Sequence, residues 1–304
     1  MKRRRLVLVM VLAVAVSAFG GVKNGMKKKN SACAKKTEKT HLGGCVLTTP
    51  SGVVPDNLYK EGNIVKTEEF KPFTKKLTVF GITLLGRDDI SDDFMKKVGK
   101  TIVAMFPRNE AIDSELQGKV IRNMYKYKAA IPLFKGEFKG EDEVFTPDEK
   151  RQWEVTKQNN SVCDIIMEDI PGQVMEVVEH ILHHVTDVGL HYTFPAEWGI
   201  AENSVIHIAM QEAIEKKYYD IEQYSEFTEE EERRRVLIQE YAYWLIYCSW
   251  DLRISFGPKK AEFSIMSAEE LKNKLPASYD LFLKTIPRVM AAPDKEMLRV
   301  FFEK

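Results

Sequence analysis

Four of the six histidines lie within twelve residues, at a spacing that suits metal binding. On a helix with 3.6 residues per turn, they share an arc of about 140° with three carboxylates. The seven residues of this arc are Glu176, Glu179, His180, His183, His184, Asp187 and His191. Residues 158–215 contain ten Asp or Glu and no Lys or Arg, whereas solvated helix faces usually mix both signs. Imidazoles and carboxylates without basic counter-ions predict a site for a divalent cation.

The spacing within this run leaves two overlapping ligand sets open. His180 and His184 stand four residues apart, one helical turn, which lets two imidazoles share one metal ion. Glu179 with His183, and His183 with Asp187, repeat the same spacing. The alternative is a solvated polar stripe that binds no ligand.

A second candidate ligand is Glu240, in a helix predicted from Thr228 to about Arg253. Between Arg235 and Asp251 it is the only acid or base apart from tyrosines and one cysteine. A carboxylate in so apolar a helix needs a partner, because an unpaired buried charge is strongly destabilising. A metal ion shared with the histidine helix would be such a partner. A buried hydrogen bond to a tyrosine or to the backbone is the alternative.

With His180, His184 and Glu240 as ligands, residues 172–250 resemble the gluzincin metalloproteases, in particular the secreted ones of the anthrax lethal factor type. In that family a His-Glu-x-x-His helix binds zinc, and a later helix provides a third ligand, a glutamate near aromatic residues. The resemblance implies a zincin-like pair of helices, a zinc ion and a peptide or protein substrate.

The resemblance also implies roles for residues around the metal. Tyr241 or Tyr243 would donate a hydrogen bond to the transition state. Ile181 stands where the family has its general-base glutamate, and an aliphatic side chain can accept no proton. Glu179, on the same arc, is therefore the candidate base, or else a ligand beside His183.

The same helix is similar to an uncharacterised family of secreted proteins. Its members read Glu-Glu-hydrophobic-x-His, followed by Thr-Asp-x-Gly. This chain has Glu-His-Ile-Leu-His at 179–183 and Thr-Asp-Val-Gly at 186–189. The resemblance keeps Glu179, His183 and Asp187 but replaces His180, so it implies a shifted ligand set and brings no activity with it.

The N-terminus resembles an export signal, predicted over residues 1–20. Four basic residues precede a fourteen-residue apolar stretch at 6–19, which is short for a membrane span. We expect a secreted protein, or a periplasmic one in a bacterium, without stable membrane insertion after cleavage; an uncleaved anchor is the alternative. From Cys45 onward the chain has 34 basic and 44 acidic residues, a net charge of −10, which argues against a nucleic-acid partner.

The four cysteines predict two disulfides in an exported protein. Three pairings are open, and we expect Cys33 with Cys45 and Cys163 with Cys248. The second pair would set the histidine helix antiparallel to the helix of Glu240 and bring that carboxylate level with the histidines.

The whole pattern predicts an α+β fold that is mainly helical. We expect a basic, largely irregular segment at 21–75, an α+β part at 76–150 and a helical part with the metal site at 151–304. A strand is predicted at 77–85, and Gly189 marks the end of the histidine helix. The predicted function is divalent-metal binding, zinc first. Whether the site hydrolyses peptides or belongs to a non-enzymatic extracellular binding or matrix protein is left open.

Overall fold

The computed structural model describes residues 40–303, in which a small sheet near the N-terminus precedes a mainly helical part. This confirms the α+β prediction. The predicted signal peptide and the lysine-rich segment up to residue 39 lie outside the described residues. The strands are β1 (His41–Leu42), β2 (Val46–Leu47), β3 (Val65–Lys66), β4 (Lys75–Val79), β5 (Ile82–Gly86), β6 (Ala130–Lys135) and β7 (Ile166–Glu168).

Five of these strands form one mixed sheet in the order β3-β4-β5-β6-β7. β3, β4 and β5 are antiparallel, whereas β6 and β7 are parallel to β5. The single strand predicted at 77–85 is wrong, because the chain reverses there. Phe80 and Gly81 both have positive φ, 48° and 85°, as a two-residue hairpin turn of type I′ requires. β1 and β2 form a separate short hairpin.

Helices make up most of the remainder, and several of them begin at a residue whose side chain caps the first turn. Ser91, Asp113 and Ser267 each accept a hydrogen bond from the first turn of a helix, and Thr146 forms a capping box. The helices are α1 (Asp92–Met105), α2 (Ser114–Lys126), α3 (Glu141–Val144), α4 (Pro147–Asn159), α5 (Gln173–His184), α6 (His191–Thr193), α7 (Pro195–Trp198), α8 (Val205–Glu215), α9 (Glu230–Ser249), α10 (Leu252–Phe256), α11 (Ala268–Lys274), α12 (Pro276–Val289) and α13 (Lys295–Phe302).

The histidine helix continues beyond its predicted end. A π-helical segment, Val185–Leu190, joins α5 to α6, and the backbone stays right-handed helical at each junction. Gly189 does not end the helix but lets it approach α2. A Cβ atom at this position would lie 2.8 Å from Cγ1 of Val120. The predicted stop at Gly189 is therefore wrong, because the glycine serves close packing rather than a turn.

The central element is α9, in which every residue from Arg235 to Cys248 is buried. A helix that is apolar on all sides needs neighbours on all sides, and α5, α8, α10, α11 and α12 pack around α9. The apolar side of α5, which includes Val177, Ile181 and Leu182, belongs to the same hydrophobic core. No helix among the described residues is long and apolar enough to cross a bilayer.

The disulfide differs from both predicted pairs. Cys45 is bonded to Cys163, with Cα atoms 5.0 Å apart, and Cys248 is a buried free thiol. The predicted Cys163–Cys248 and Cys33–Cys45 pairs are therefore wrong; Cys33 itself lies outside the described residues. The bond links the β1–β2 hairpin to the loop before β7, while Cys248 lies in α9 with its Sγ 3.2 Å from the carbonyl oxygen of Ile265.

Removing the disulfide should lower stability measurably. It closes a loop of 118 residues, for which chain entropy gives about 5 kcal/mol. We expect the double change Cys45→Ser with Cys163→Ser to lower the free energy of unfolding by that amount in a denaturant titration. Cys248→Ser is the matched control and should have a much smaller effect. Peptide mapping that finds Cys248 in a disulfide would contradict this pairing.

Candidate metal centre

His183 is the centre of the site. It lies on α5 with none of its surface exposed. Its Nδ1 is 2.8 Å from Oδ2 of Asp164, in the loop before β7, and its Nε2 is 3.6 Å from Oε2 of Glu240, on α9. When Nδ1–H donates to Asp164, the lone pair of Nε2 faces Glu240. Metal-binding histidines are commonly oriented by a carboxylate in this way.

Glu240 is buried without hydrogen bonds. Glu240 is only 1% exposed, and neither of its carboxylate oxygens has a hydrogen-bond partner among the described residues. The Nε2 atom of His183 is also buried and lacks one. Buried polar atoms are rarely left in this state, because each would lose its hydration without compensation. Nε2 of His183 lies 3.6 Å from Oε2 of Glu240, and a bound cation would compensate all three atoms.

Glu179 completes the group from the preceding turn of α5. One of its oxygens, one nitrogen of His183 and one oxygen of Glu240 all lie within 4.8 Å of one another. Burial raises the pKa of Glu179 well above its ordinary value, and the charge of Glu240 raises it further. Two carboxylates so close together repel each other when both are ionised. A dication between them would remove that repulsion.

His180 lies beside this group and is already paired with other carboxylates. Its Nδ1 is 3.2 Å from Oε1 of Glu176, and its Nε2 is 3.7 Å from Oδ2 of Asp164. Burial lowers the pKa of His180, but Asp164 and Glu176 outweigh this and raise it to about 10. Asp164, His180 and His183 could also hold an ion, although the contact between Asp164 and His183 already has hydrogen-bond geometry.

His184 is held by the backbone on both sides of its ring. The N–H of Cys163 donates to Nε2 at 3.2 Å, and Nδ1 lies 2.9 Å from the carbonyl oxygen of His180. Burial lowers the pKa of His184 to about 4, so the ring is neutral. The structure therefore does not bring His184 and His180 together around a common point, although their spacing allowed it.

Asp187 is paired with an arginine that the sequence reasoning missed. Its Oδ2 lies 2.8 Å from Nη1 of Arg235, and both side chains are 2% exposed. Burial raises the pKa of Asp187, and the arginine opposes that rise. The stretch 158–215 lacks basic residues of its own, but α9 supplies this counter-ion. Asp164 was missed too, since one acid in a loop gives no periodic signal.

Two tyrosines of α9 border the group. Tyr243 is fully buried, its ring centroid is 5.8 Å from that of His183, and its hydroxyl has no hydrogen-bond partner among the described residues. The hydroxyl of Tyr247 is in the same state, with its ring 5.1 Å from that of Tyr243. Burial, followed by the charge of Glu179, raises the pKa of Tyr243 well above its ordinary value. Tyr241 lies elsewhere and bonds Ser278.

A cavity of about 690 Å³ lies away from this group. It opens at the N-terminal end of α5, near Glu168 and Gly172, and is closed on one side by Phe301 and Phe302. None of the predicted site residues lines it. The candidate centre is instead enclosed between α5 and α9, with only the partly exposed Glu179 and His180 near the surface.

His191 is outside the centre and should make folding sensitive to acid. Burial lowers its pKa to about 4, whereas an unfolded histidine has a pKa of about 6.5. A depressed folded pKa means that stability is lost as the pH falls from 6.5 towards 4. We expect about 2 kcal/mol of loss from this residue between pH 7 and 4.5.

Denaturant titrations of His191→Phe at these two pH values test this expectation. The variant should lose less stability than the original chain over the same interval. Equal acid sensitivity of the original chain and His191→Phe would contradict the expectation.

Comparison with known proteins gives no matching protein family, no similar curated protein and no similar solved structure.

Proposed function

We propose that this protein binds one divalent cation between α5 and α9, with Glu179, His183 and Glu240 as ligands and zinc as the preferred ion. The observation that carries the proposal is the buried carboxylate of Glu240, which lies 3.6 Å from Nε2 of His183 and forms no hydrogen bond among the described residues. This set combines residues from both predicted ligand sets. It leaves out His180 and His184, whose ring nitrogens contact other groups, and Asp187, which pairs with Arg235.

The donor chemistry supports a metal of intermediate softness. One imidazole nitrogen and two carboxylate oxygens suit zinc and other first-row divalent ions. The two carboxylates carry a charge of −2, which a dication balances within a buried site. Three protein ligands leave the fourth position of tetrahedral zinc open, as in catalytic zinc sites, whereas structural sites use four.

Asp164 is the positioning residue in this proposal. Its hydrogen bond to Nδ1 of His183 fixes the tautomer and the ring plane, so that Nε2 points towards Glu179 and Glu240. Gln239 lies against the same pair, because its Nε2 is 3.4 Å from Oδ2 of Asp164 and 3.1 Å from Nδ1 of His183. The side chain of Gln239 is in turn bonded to Arg235.

Metal-dependent hydrolysis of a peptide or protein is the second part of the proposal. The open zinc position and the unpaired hydroxyls of Tyr243 and Tyr247 support it, since phenols can donate to an oxygen bound at the metal. In this arrangement Glu179 is a ligand and not the base. The position of the family's general base is occupied by Ile181, which is buried in the hydrophobic core. The residue directly after Glu179 is His180 and not a second carboxylate.

The rival is a non-enzymatic extracellular binding or matrix protein that keeps the metal for stability. The complete burial of His183 and Glu240 favours it, because a substrate must reach the metal. Export remains part of both proposals and rests on the sequence of residues 1–20. Neither proposal includes a nucleic-acid partner, because the net charge of −10 from Cys45 onward would repel phosphates.

Elemental analysis tests the metal proposal. The purified chain should contain close to one zinc ion, and Glu240→Gln should weaken zinc binding at least tenfold, because it removes one charged ligand without changing the shape of the side chain. Zinc at a hundred times its Kd should stabilise the original chain by about 2.7 kcal/mol. A calorimetric titration and thermal unfolding measure both effects.

Glu262→Gln is the matched control for this variant. Glu262 is another carboxylate close to α9, but it accepts a hydrogen bond from Nε1 of Trp244 and is not one of the proposed ligands. Zinc should bind this variant as it binds the original chain. Full zinc affinity in Glu240→Gln, or no zinc binding by the original chain, would overturn the proposal.

Tyr243→Phe separates the enzyme from its rival. The change removes one hydroxyl and keeps the ring, so zinc affinity should stay the same. If the site hydrolyses peptides, chelator-sensitive cleavage of a mixed peptide library should fall about tenfold or more, because a transition-state hydrogen bond is lost. Full zinc occupancy without cleavage by the original chain would support the non-enzymatic rival.

A further inference from the structure

A second group of potential metal-binding atoms includes Cys163, the residue directly before Asp164. Cys45, Cys163 and Asp187 are all buried, and their Sγ atoms and one carboxylate oxygen lie within 4.8 Å of one another. Oδ2 of Asp187 is 3.9 Å from Sγ of Cys45. In this structure the two sulfurs form the disulfide, so the group can bind a metal only after that bond is broken.

Hydrogen bonds hold the two cysteines together independently of the disulfide. The N–H of Leu47 donates to Oγ of Ser161 at 3.0 Å, and the hydroxyl of Tyr192 donates to the carbonyl oxygen of Leu47 at 2.6 Å. Nε of Arg235 donates to the carbonyl oxygen of Gly43 at 2.6 Å. The β1–β2 hairpin is therefore fastened on both sides of Cys45, and reduction should leave two neighbouring thiols.

The local charges favour a dication at this place. Two thiolates and Asp187 carry a charge of −3, and a divalent ion reduces it to −1. Arg235, paired with Asp187 at 2.8 Å, brings the total to zero. A buried cluster whose charges cancel avoids the large desolvation penalty of an uncompensated charge.

We propose that the reduced chain binds a second, thiophilic divalent ion such as zinc through Sγ of Cys45, Sγ of Cys163 and the carboxylate of Asp187. Thiolates with a carboxylate are a donor set that zinc accepts. A thiol reductant breaks the Sγ–Sγ bond, supplies two electrons and two protons, and leaves as its own disulfide. The ion then displaces both thiol protons. In this proposal the disulfide links the β1–β2 hairpin to the loop before β7 in the oxidised chain, and the metal ion links them in the reduced chain.

Cobalt absorption of the full chain tests this proposal. We would use Cys33→Ser with Cys248→Ser, which keeps only Cys45 and Cys163, and add cobalt before and after reduction by a phosphine. The phosphine takes its oxygen from water and adds no sulfur ligand. Reduction should produce a thiolate-to-cobalt charge-transfer band and one additional equivalent of bound cobalt. No such band in the reduced, folded chain would overturn the proposal.

Variants distinguish this site from the one between α5 and α9. Adding Cys45→Ser should abolish the band, whereas Glu240→Gln should leave it intact, because no sulfur belongs to the first site. A band that persists in Cys45→Ser would also overturn the proposal. In the oxidised chain the second site cannot form, so the effect of Glu240→Gln on cobalt binding there reports on the first site alone. The two proposals can therefore fail independently.

Alkylation of the unmodified chain provides a measurement without variants. After reduction, zinc should slow the alkylation of Cys45 and Cys163 relative to the zinc-free chain, as read by peptide mapping. Cys248, buried in α9, is the internal control and should react at the same rate with and without zinc. If zinc changes the alkylation rate of none of these three cysteines, the second site is contradicted.

Discussion

The burial of one carboxylate inside an apolar helix is the constraint on which this arrangement depends. α9 must be surrounded because its residues from Arg235 to Cys248 are all buried, and Glu240 is carried inside with them. α5 brings His183 and Glu179 to that carboxylate. The amphipathic character of α5 follows from this. Its apolar side joins the core, and its polar side meets a charge that cannot reach water.

One short loop decides which histidine faces that carboxylate. The N–H of Cys163 binds His184, and the side chain of the next residue, Asp164, binds His183. The disulfide fixes this loop to the β1–β2 hairpin, and Arg235 ties the hairpin to α9 and to Asp187. The covalent bond, the ion pair and the proposed metal centre thus share a single connected region.

Local rules account for helix starts better than for the connections between elements. Capping residues such as Ser91 and Ser267 mark helix starts, because they satisfy backbone N–H groups within a few residues. The hairpin at Phe80 and the close packing of Gly189 were missed, because alternating apolar residues and a lone glycine each fit more than one conformation. The contact that selects between them for Gly189 is with Val120, far away in sequence.

The sequence by itself determined that a metal-type donor set lies on the histidine helix and that Glu240 needs a partner. Residue type and helical period suffice for that, since both act within a few turns. Tertiary structure alone decided that His183 faces Glu240, that His184 is bound to the backbone, and that Asp187 belongs to Arg235. It also decided that Cys45 pairs with Cys163. These choices depend on residues 21 to 118 positions apart, whose approach no local pattern encodes.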